Sequence, residues 1–138
     1  MNFANRLQPL GLLVLRLALG TVMIAHGYQK IANHLQNISG MLHGLQIPQW
    51  MAYLVVAAEF GGGILLVAGF LTRIAAIAIF LDMAVAISRV HLHNGLMGSK
   101  SGPGYEFPMV CAAIAFSLIW SGAGPIAIDW LWGSKGGR

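Results

Sequence analysis

Charged residues are scarce in this chain: Asp, Glu, Lys and Arg make up only 9% of its 138 residues, against about 25% in soluble globular domains. Hydrophobic residues make up 57%, and the mean hydropathy is +0.73. This composition excludes an ordinary soluble domain and predicts one integral membrane domain over residues 1–138. The net charge of +4 comes from basic residues that do not cluster. It therefore indicates membrane lipids as partners and gives no support to nucleic-acid binding.

Cysteine is almost absent, since Cys111 is the single one in the sequence. One cysteine cannot form an intrachain disulfide or a CxxC redox pair, which argues against the four-helix thiol-redox enzymes. We expect Cys111 to be a small buried apolar residue.

The sequence contains four hydrophobic segments, at about 7–31, 50–71, 74–90 and 105–121. Their lengths predict an all-α, multi-pass four-helix bundle in the cell membrane. The stretch between the first two segments is too polar to span. Apolar residues recur there at helical spacing (Ile31, Leu35, Ile38, Leu42 and Leu45), which predicts a short amphipathic helix on the membrane surface. An irregular loop is the alternative.

The basic residues at or beyond the ends of the apolar segments bear on orientation. With both termini inside, four basic residues face the cytoplasm and three face outward, which favours N-in and C-in. The inner set is Arg6, Arg73, Lys135 and Arg138, and the outer set is Lys30, Arg89 and Lys100.

Three of the apolar segments contain a charge near mid-membrane: Arg16, Glu59 and Asp82. A charge at that depth costs about 2.5–3.5 kcal/mol on insertion scales, so such residues face the bundle interior and pair. We expect these three to form one ionic cluster. Its remaining negative charge would be neutralised by a proton, by Lys30 or by Arg89.

Topology brings further polar residues to one membrane face, and helical periodicity predicts which of them point inward. The first segment carries an inward stripe of Arg16, Gly20, Met23, Gly27 and Lys30, with His26 beside it. On the third segment, Asp82, Arg89 and His93 share a stripe from which His91 points away. On the fourth segment, Tyr105 lies at the start, and Glu106, Ala113 and Ser117 share the expected inward stripe. Gly61, Gly62 and Gly63 follow Glu59 and predict close approach of a neighbouring helix or a second copy of the chain.

Several stretches together resemble the DoxX family of small four-helix membrane proteins. They are LRLALG (15–20), HGYQK (26–30), EFGGGILLVAGFLTRIAA (59–76), DMAVAI (82–87), His91, GYEFP (104–108) and GAGPIAID (122–129). The resemblance implies a membrane bundle whose relatives include the membrane subunit of a thiosulfate:quinone oxidoreductase. Other members are linked to quinone or thiol-oxidant stress, or to complexes with detoxifying enzymes. The family's usual polar positions correspond here to Arg16, His26, Lys30, Glu59, His91 and Glu106.

These observations give three functional hypotheses. The first is a quinone-associated redox subunit in which His26 or His91 holds the quinone carbonyl and Glu59, Glu106 or Asp82 exchanges protons. It would need a redox partner or a bound cofactor. The second is a non-enzymatic small-molecule carrier or membrane assembly partner, in which the polar cluster is a binding pocket or a structural lock. The third is a metal-binding protein that uses His26, His91 and His93 with Glu106.

Overall fold

A computed structural model describes residues 3–33 and 35–133, so Lys135 and Arg138, counted above for orientation, lie outside the described residues. Within these ranges the chain is helical, without a β-strand, which confirms the all-α prediction. Six helices follow one another. They are α1 (Phe3–Ala32), α2 (Gln36–Gly44), α3 (Met51–Ala68), α4 (Thr72–Asn94), α5 (Glu106–Ser121) and α6 (Ile128–Gly133).

The predicted membrane segments correspond to α1, α3, α4 and α5. Three stretches, Arg6–Ala32, Met51–Ala68 and Thr72–Asn94, are long and apolar enough to span a bilayer, and the fourth, Glu106–Ser121, is shorter but equally apolar. The chain is therefore a membrane helical bundle.

The polar stretch between α1 and α3 forms the predicted amphipathic helix, α2, and the loop alternative is wrong. Ile38 and Leu42 on one face of α2 pack against Ala52 at the start of α3, while His43 on the other side is exposed. The chain enters and leaves α2 through left-handed backbone conformations at Leu35 and Gln46 (φ 59° and 56°).

Glycines allow α1 and α3 to touch backbone to backbone. A Cβ atom on Gly63 would lie 2.7 Å from the Gly20 carbonyl oxygen, and one on Gly27 would lie 2.6 Å from Phe60. Real Cβ atoms do not approach so closely, so only glycine fits at this glycine seam. Gly61, in the same run, has open space beside it. The predicted close approach is confirmed, and in this chain it occurs between α1 and α3.

The main core lies where α4 and α5 pack together with α1 and α3. Small residues such as Ala75, Ala76 and Ala115 allow close packing, while Ile79 and Leu118 fill the space between the helices. Cys111 is buried in this core without a disulfide partner, as expected.

The predicted inward stripe of α1 is correct, because Arg16, Gly20, Met23 and Gly27 are buried and Lys30 is half-buried. The predicted stripe of α5 is wrong, since Glu106, Ala113 and Ser117 are all exposed. α5 is apolar nearly all round, so its few polar residues do not mark the buried face. The face it buries carries Pro108, Cys111, Ala112, Ala115 and Leu118.

On α4 the predicted inward orientation is correct for Asp82 and wrong for the polar residues that follow it. Arg89 and His93 are exposed, while His91 is half-buried and turns inward. The reason is a π-helical segment at Ala86–His91. A π turn inserts one extra residue, which rotates every later side chain by roughly 100° relative to the α-helical repeat.

Candidate ligand-binding cavity

A cavity of about 600 Å³ lies at the membrane face where α1 and α4 end and α3 and α5 begin, beneath α2. Its walls are mainly apolar, and exposed Gln29, Asn33 and Asn37 mark where it reaches the surface beside α2. This volume falls in the range of small-molecule binding sites, about 300–1,000 Å³. We call this face the cavity end. The apolar lining includes Ile38, Met41, Leu42, Leu45, Ile47, Val55, Met83, Val85, Val90, Phe107 and Pro108.

An ion pair between Lys30 and Glu59 forms the polar base of the cavity. The Lys30 ammonium donates a hydrogen bond to Glu59 Oε2. Side chains on a helix tilt toward its N-terminus, so Lys30, near the end of α1, reaches back into the bundle. Only 4% of the Glu59 side chain and 25% of the Lys30 side chain are exposed. A pair so shielded is costly to break, because removal of one partner leaves a buried charge.

Asp82 lies beside Glu59 and adds a second carboxyl group to the same base. Its Oδ2 atom is shielded from solvent and has no hydrogen-bond partner. The base therefore contains two acidic groups and one ammonium group. If both carboxyls are ionised, the base has an excess charge of −1.

Aromatic and imidazole rings line the cavity above this base. The His26 ring stacks on Phe107, with centroids 4.9 Å apart and an interplanar angle of 25°. His91 Nδ1 lies 3.1 Å from the Pro103 carbonyl oxygen. Because a carbonyl oxygen can only accept a hydrogen bond, Nδ1 is the donor. Asn94 Nδ2 donates to the same oxygen at 3.0 Å. These two bonds tie the loop before α5 to the end of α4, with His91 facing the cavity.

Two π-helical segments occur in the described residues, and both contribute to this cavity. Ala57–Gly61 contains Glu59, and Ala86–His91 contains His91. Such segments are rare and frequently lie at functional sites. Here the two segments present an acidic group and an imidazole to one space.

Arg16 does not join this cluster, so the expected trio of Arg16, Glu59 and Asp82 is wrong. Arg16 precedes Lys30 by 14 residues, which is about 21 Å along α1. Its guanidinium donates to the carbonyl oxygens of Ala123 and Ile126, each at 2.8 Å. Because α5 ends at Ser121, the chain beyond it has carbonyls free for a charged donor.

Asp129, which we did not predict as a functional residue, lies at the same end of the bundle as the Arg16 guanidinium, opposite the cavity. Its carboxylate accepts from the backbone N–H groups of Leu71 (2.7 Å) and Thr72 (2.9 Å), and so caps the start of α4. This is the position where a negative group stabilises a helix. Asp129 and Arg16 together define what we call the closed end. A broad groove of about 780 Å³ runs over this end, but both Asp129 oxygens are already engaged.

The predicted site residues thus divide into two groups. The structure brings His26, Lys30, Glu59, Asp82 and His91 together in the cavity, and leaves out Arg16, Arg89, His93, Tyr105 and Glu106. For the metal hypothesis, the described residues contain no group of three His, Cys, Asp or Glu side chains placed to hold an ion. His93 and Glu106 do not line the cavity, so they do not join His26 and His91 there.

Comparison with known proteins finds bacterial relatives of this chain. The chain is 29% identical over 128 residues to a Bacillus subtilis protein named "Putative oxidoreductase CatD", covering 91% of this chain and 89% of that protein. It is 33% identical over 73 residues to the inner membrane protein YqjF of Escherichia coli, covering 53% and 55%. It is also 28% identical over 130 residues to an uncharacterized Haemophilus influenzae protein, covering 94% and 96%.

No solved structure matches the chain significantly. The family model of DoxX matches residues 11–92, which include most of α1, all of α2 and α3, and most of α4. All the acidic and basic residues at the base of the cavity fall within this match. The chain belongs to the DoxX family.

Proposed function

We propose that this membrane protein binds a lipid-soluble quinone in the cavity and acts as a subunit of a membrane oxidoreductase. The observation that supports this most is the convergence of the Lys30–Glu59 pair, Asp82 and His26 at one side of a mainly apolar cavity. A quinone needs such a combination: an apolar wall for its ring and tail, and donors for its carbonyl oxygens. The name of the Bacillus subtilis relative also contains the word oxidoreductase.

Each polar residue has a distinct part in this proposal. His26, stacked on Phe107, offers a flat surface to the quinone ring and a ring N–H to one carbonyl. Lys30 is a second donor. Reduction of a quinone to a quinol takes up two electrons and two protons, and Glu59 and Asp82 are placed to pass protons to the carbonyl oxygens. With a single cysteine, the chain cannot hold a thiolate-ligated cluster by itself, so we assign the electrons to a partner protein.

The experiment is a titration of the detergent-purified protein with decylubiquinone, followed by tryptophan fluorescence. We expect saturable binding, and we expect His26→Ala to weaken it about tenfold, equivalent to about 1.4 kcal/mol. His93→Ala is the matched control, because His93 is exposed outside the cavity and its removal should leave the affinity unchanged. Equal affinity in wild type and His26→Ala would argue against this site.

Glu59→Gln separates a ligand-binding role from a purely structural one. In both cases the variant loses stability, because Lys30 is left without its anionic partner. Under the proposed function it also changes decylubiquinone affinity or its pH dependence. If the variant binds decylubiquinone as the wild type does, the ion pair is a structural lock, and the assembly-partner hypothesis replaces the quinone site.

A further inference from the structure

The charges at the base of the cavity do not balance when both carboxyl groups are ionised. Lys30 supplies one positive charge, which pairs directly with Glu59 and also attracts the nearby Asp82, so the two carboxylates together keep one uncompensated negative charge. The Asp82 Oδ2 atom is shielded from solvent and lacks a hydrogen-bond donor. A buried carboxylate in that state is unfavourable, so the site needs either a proton or a second cation.

The groups that surround Asp82 include no second fixed cation to neutralise the base of the cavity. α1 presents Lys30 and His26, α3 presents Glu59, α4 itself adds His91, and Cys111 of α5 lies near Glu59. The cavity-lining side chains of the described part of α2 are Asn37, Ile38, Met41 and Leu42, none of which titrates. Among these groups Lys30 is the only fixed cation, and Glu59 already engages it.

We propose that the cavity also binds monovalent lipophilic cations, such as protonated apolar amines, in exchange for one proton held between Asp82 and Glu59. In the exchange the cation enters, one O–H bond at the carboxyl pair is broken, and the proton leaves to water. No electron moves. The cavity is then neutral in both states, with a proton or with a cation.

The rest of the cavity suits a cation with an apolar body. Its walls are lined mainly by aliphatic and aromatic side chains, which would cover the body of the ligand. The stacked rings of His26 and Phe107 add an aromatic face close to the base. Such faces attract cations whose hydration shell is weak. A strongly hydrated inorganic ion would gain little from these walls.

This inference rests on the same cavity as the proposed quinone site, and it assigns a second class of ligand to it. The protonated, neutral base would accept the uncharged quinone, while the ionised base would accept the cation. The two ligands should therefore respond in opposite directions to pH. Their binding can be measured separately on the same preparation.

The test uses tetraphenylphosphonium and the full-length protein in detergent, by isothermal titration calorimetry. We expect one cation bound and close to one proton released, read from titrations in two buffers of different ionisation enthalpy. Where the base is protonated, affinity should fall about tenfold for each unit by which the pH is lowered. Absence of binding, or binding without proton release, would overturn the proposal.

A matched pair of variants locates the exchange. Asp82→Asn removes the proton-holding group, so we expect at least tenfold weaker binding and no proton release. Glu106→Gln removes the same charge from an exposed position outside the cavity, and should bind as the wild type does. Equal losses in both variants would contradict a specific site. If Asp82→Asn does not fold, the proton count of the wild type still decides the question.

Decylubiquinone titrations of the same samples distinguish the two proposals. A protein that binds decylubiquinone but not tetraphenylphosphonium keeps the quinone function and loses the cation exchange. The reverse result removes the quinone function and leaves the exchange in place.

Discussion

The closed end and the cavity end of the bundle hold their buried charges in different ways. At the closed end, Arg16 and Asp129 bond to backbone groups: two carbonyls for the guanidinium and two N–H groups for the carboxylate. At the cavity end, Lys30 and Glu59 form an ion pair with Asp82 beside them, and all three line an open space. Backbone partners are neutral and fixed in place. Side-chain partners can gain or lose a proton and can be displaced by a ligand.

The comparison shows that a buried charge in a membrane protein does not by itself mark a functional site. Intramembrane ionisable residues are functional candidates by default, yet both terminal nitrogens of Arg16 bond to the fold itself, and only its buried Nε atom lacks a partner. The two ends differ in whether every oxygen of the acidic side chain has a hydrogen-bond partner. At the closed end both oxygens of Asp129 accept hydrogen bonds, whereas at the cavity end Asp82 Oδ2 has no partner.

The largest effect expected at the closed end comes from Arg16→Met. This change removes two charged hydrogen bonds and leaves the Ala123 and Ile126 carbonyls without their donor. We expect the free energy of unfolding to fall by about 3 kcal/mol or more, measured by thermal or denaturant unfolding in detergent.

Decylubiquinone affinity should remain near the wild-type value in the Arg16→Met protein that stays folded, since Arg16 is outside the cavity. Arg89→Met, at an exposed position, is the control and should alter stability by no more than about 0.5 kcal/mol. Loss of decylubiquinone binding by the Arg16→Met protein that is still folded would mean that the two ends are not independent.

A medium effect is expected at the glycine seam, which joins the two ends along α1 and α3. Gly63→Ala places a methyl group 2.7 Å from the Gly20 carbonyl oxygen and forces the helices apart. We expect a loss of about 2 kcal/mol in stability and weaker ligand binding, because Glu59 moves with α3.

Gly61→Ala is the matched control, two residues away in the same run. Its methyl group meets open space, so helix propensity should stabilise the protein, by up to about 1 kcal/mol. If both variants shifted the unfolding transition in the same direction, the seam would not be the cause.

The smallest effect is expected from Asp129→Ala, which removes the cap on α4. Loss of a cap typically costs about 1 kcal/mol. Asp129→Asn keeps one acceptor and should fall between the alanine variant and the wild type in an unfolding titration. A change in decylubiquinone affinity in either variant would contradict the separation of the two ends.

The sequence is sufficient to predict the bundle, its surface helix and the inward face of α1, because apolar length and a 3.6-residue period are local properties. The position of Lys30 in that same stripe predicts that it faces inward, but the sequence does not decide between Lys30, Arg89 and a proton as the group that neutralises the carboxyls. The face of α4 beyond Asp82 is not predictable this way, since the period changes within Ala86–His91. Arg16 bonds to carbonyls more than 100 positions later, and a backbone acceptor has no signature in residue identity.

The glycine seam also determines which part of the cavity wall can move. α1 and α3 touch through their backbones at Gly20 and Gly63, so no flexible side chains lie between them to take up a displacement. The wall that carries Lys30 and Glu59 is accordingly stiff. If the cavity expands around a bulky ligand, the part that moves must be α2 on the opposite side. There α2 packs through a small cluster of Ile38, Leu42 and Ala52. Ligand binding should therefore change the amide hydrogen-exchange rates of α2 and leave those along the glycine seam constant.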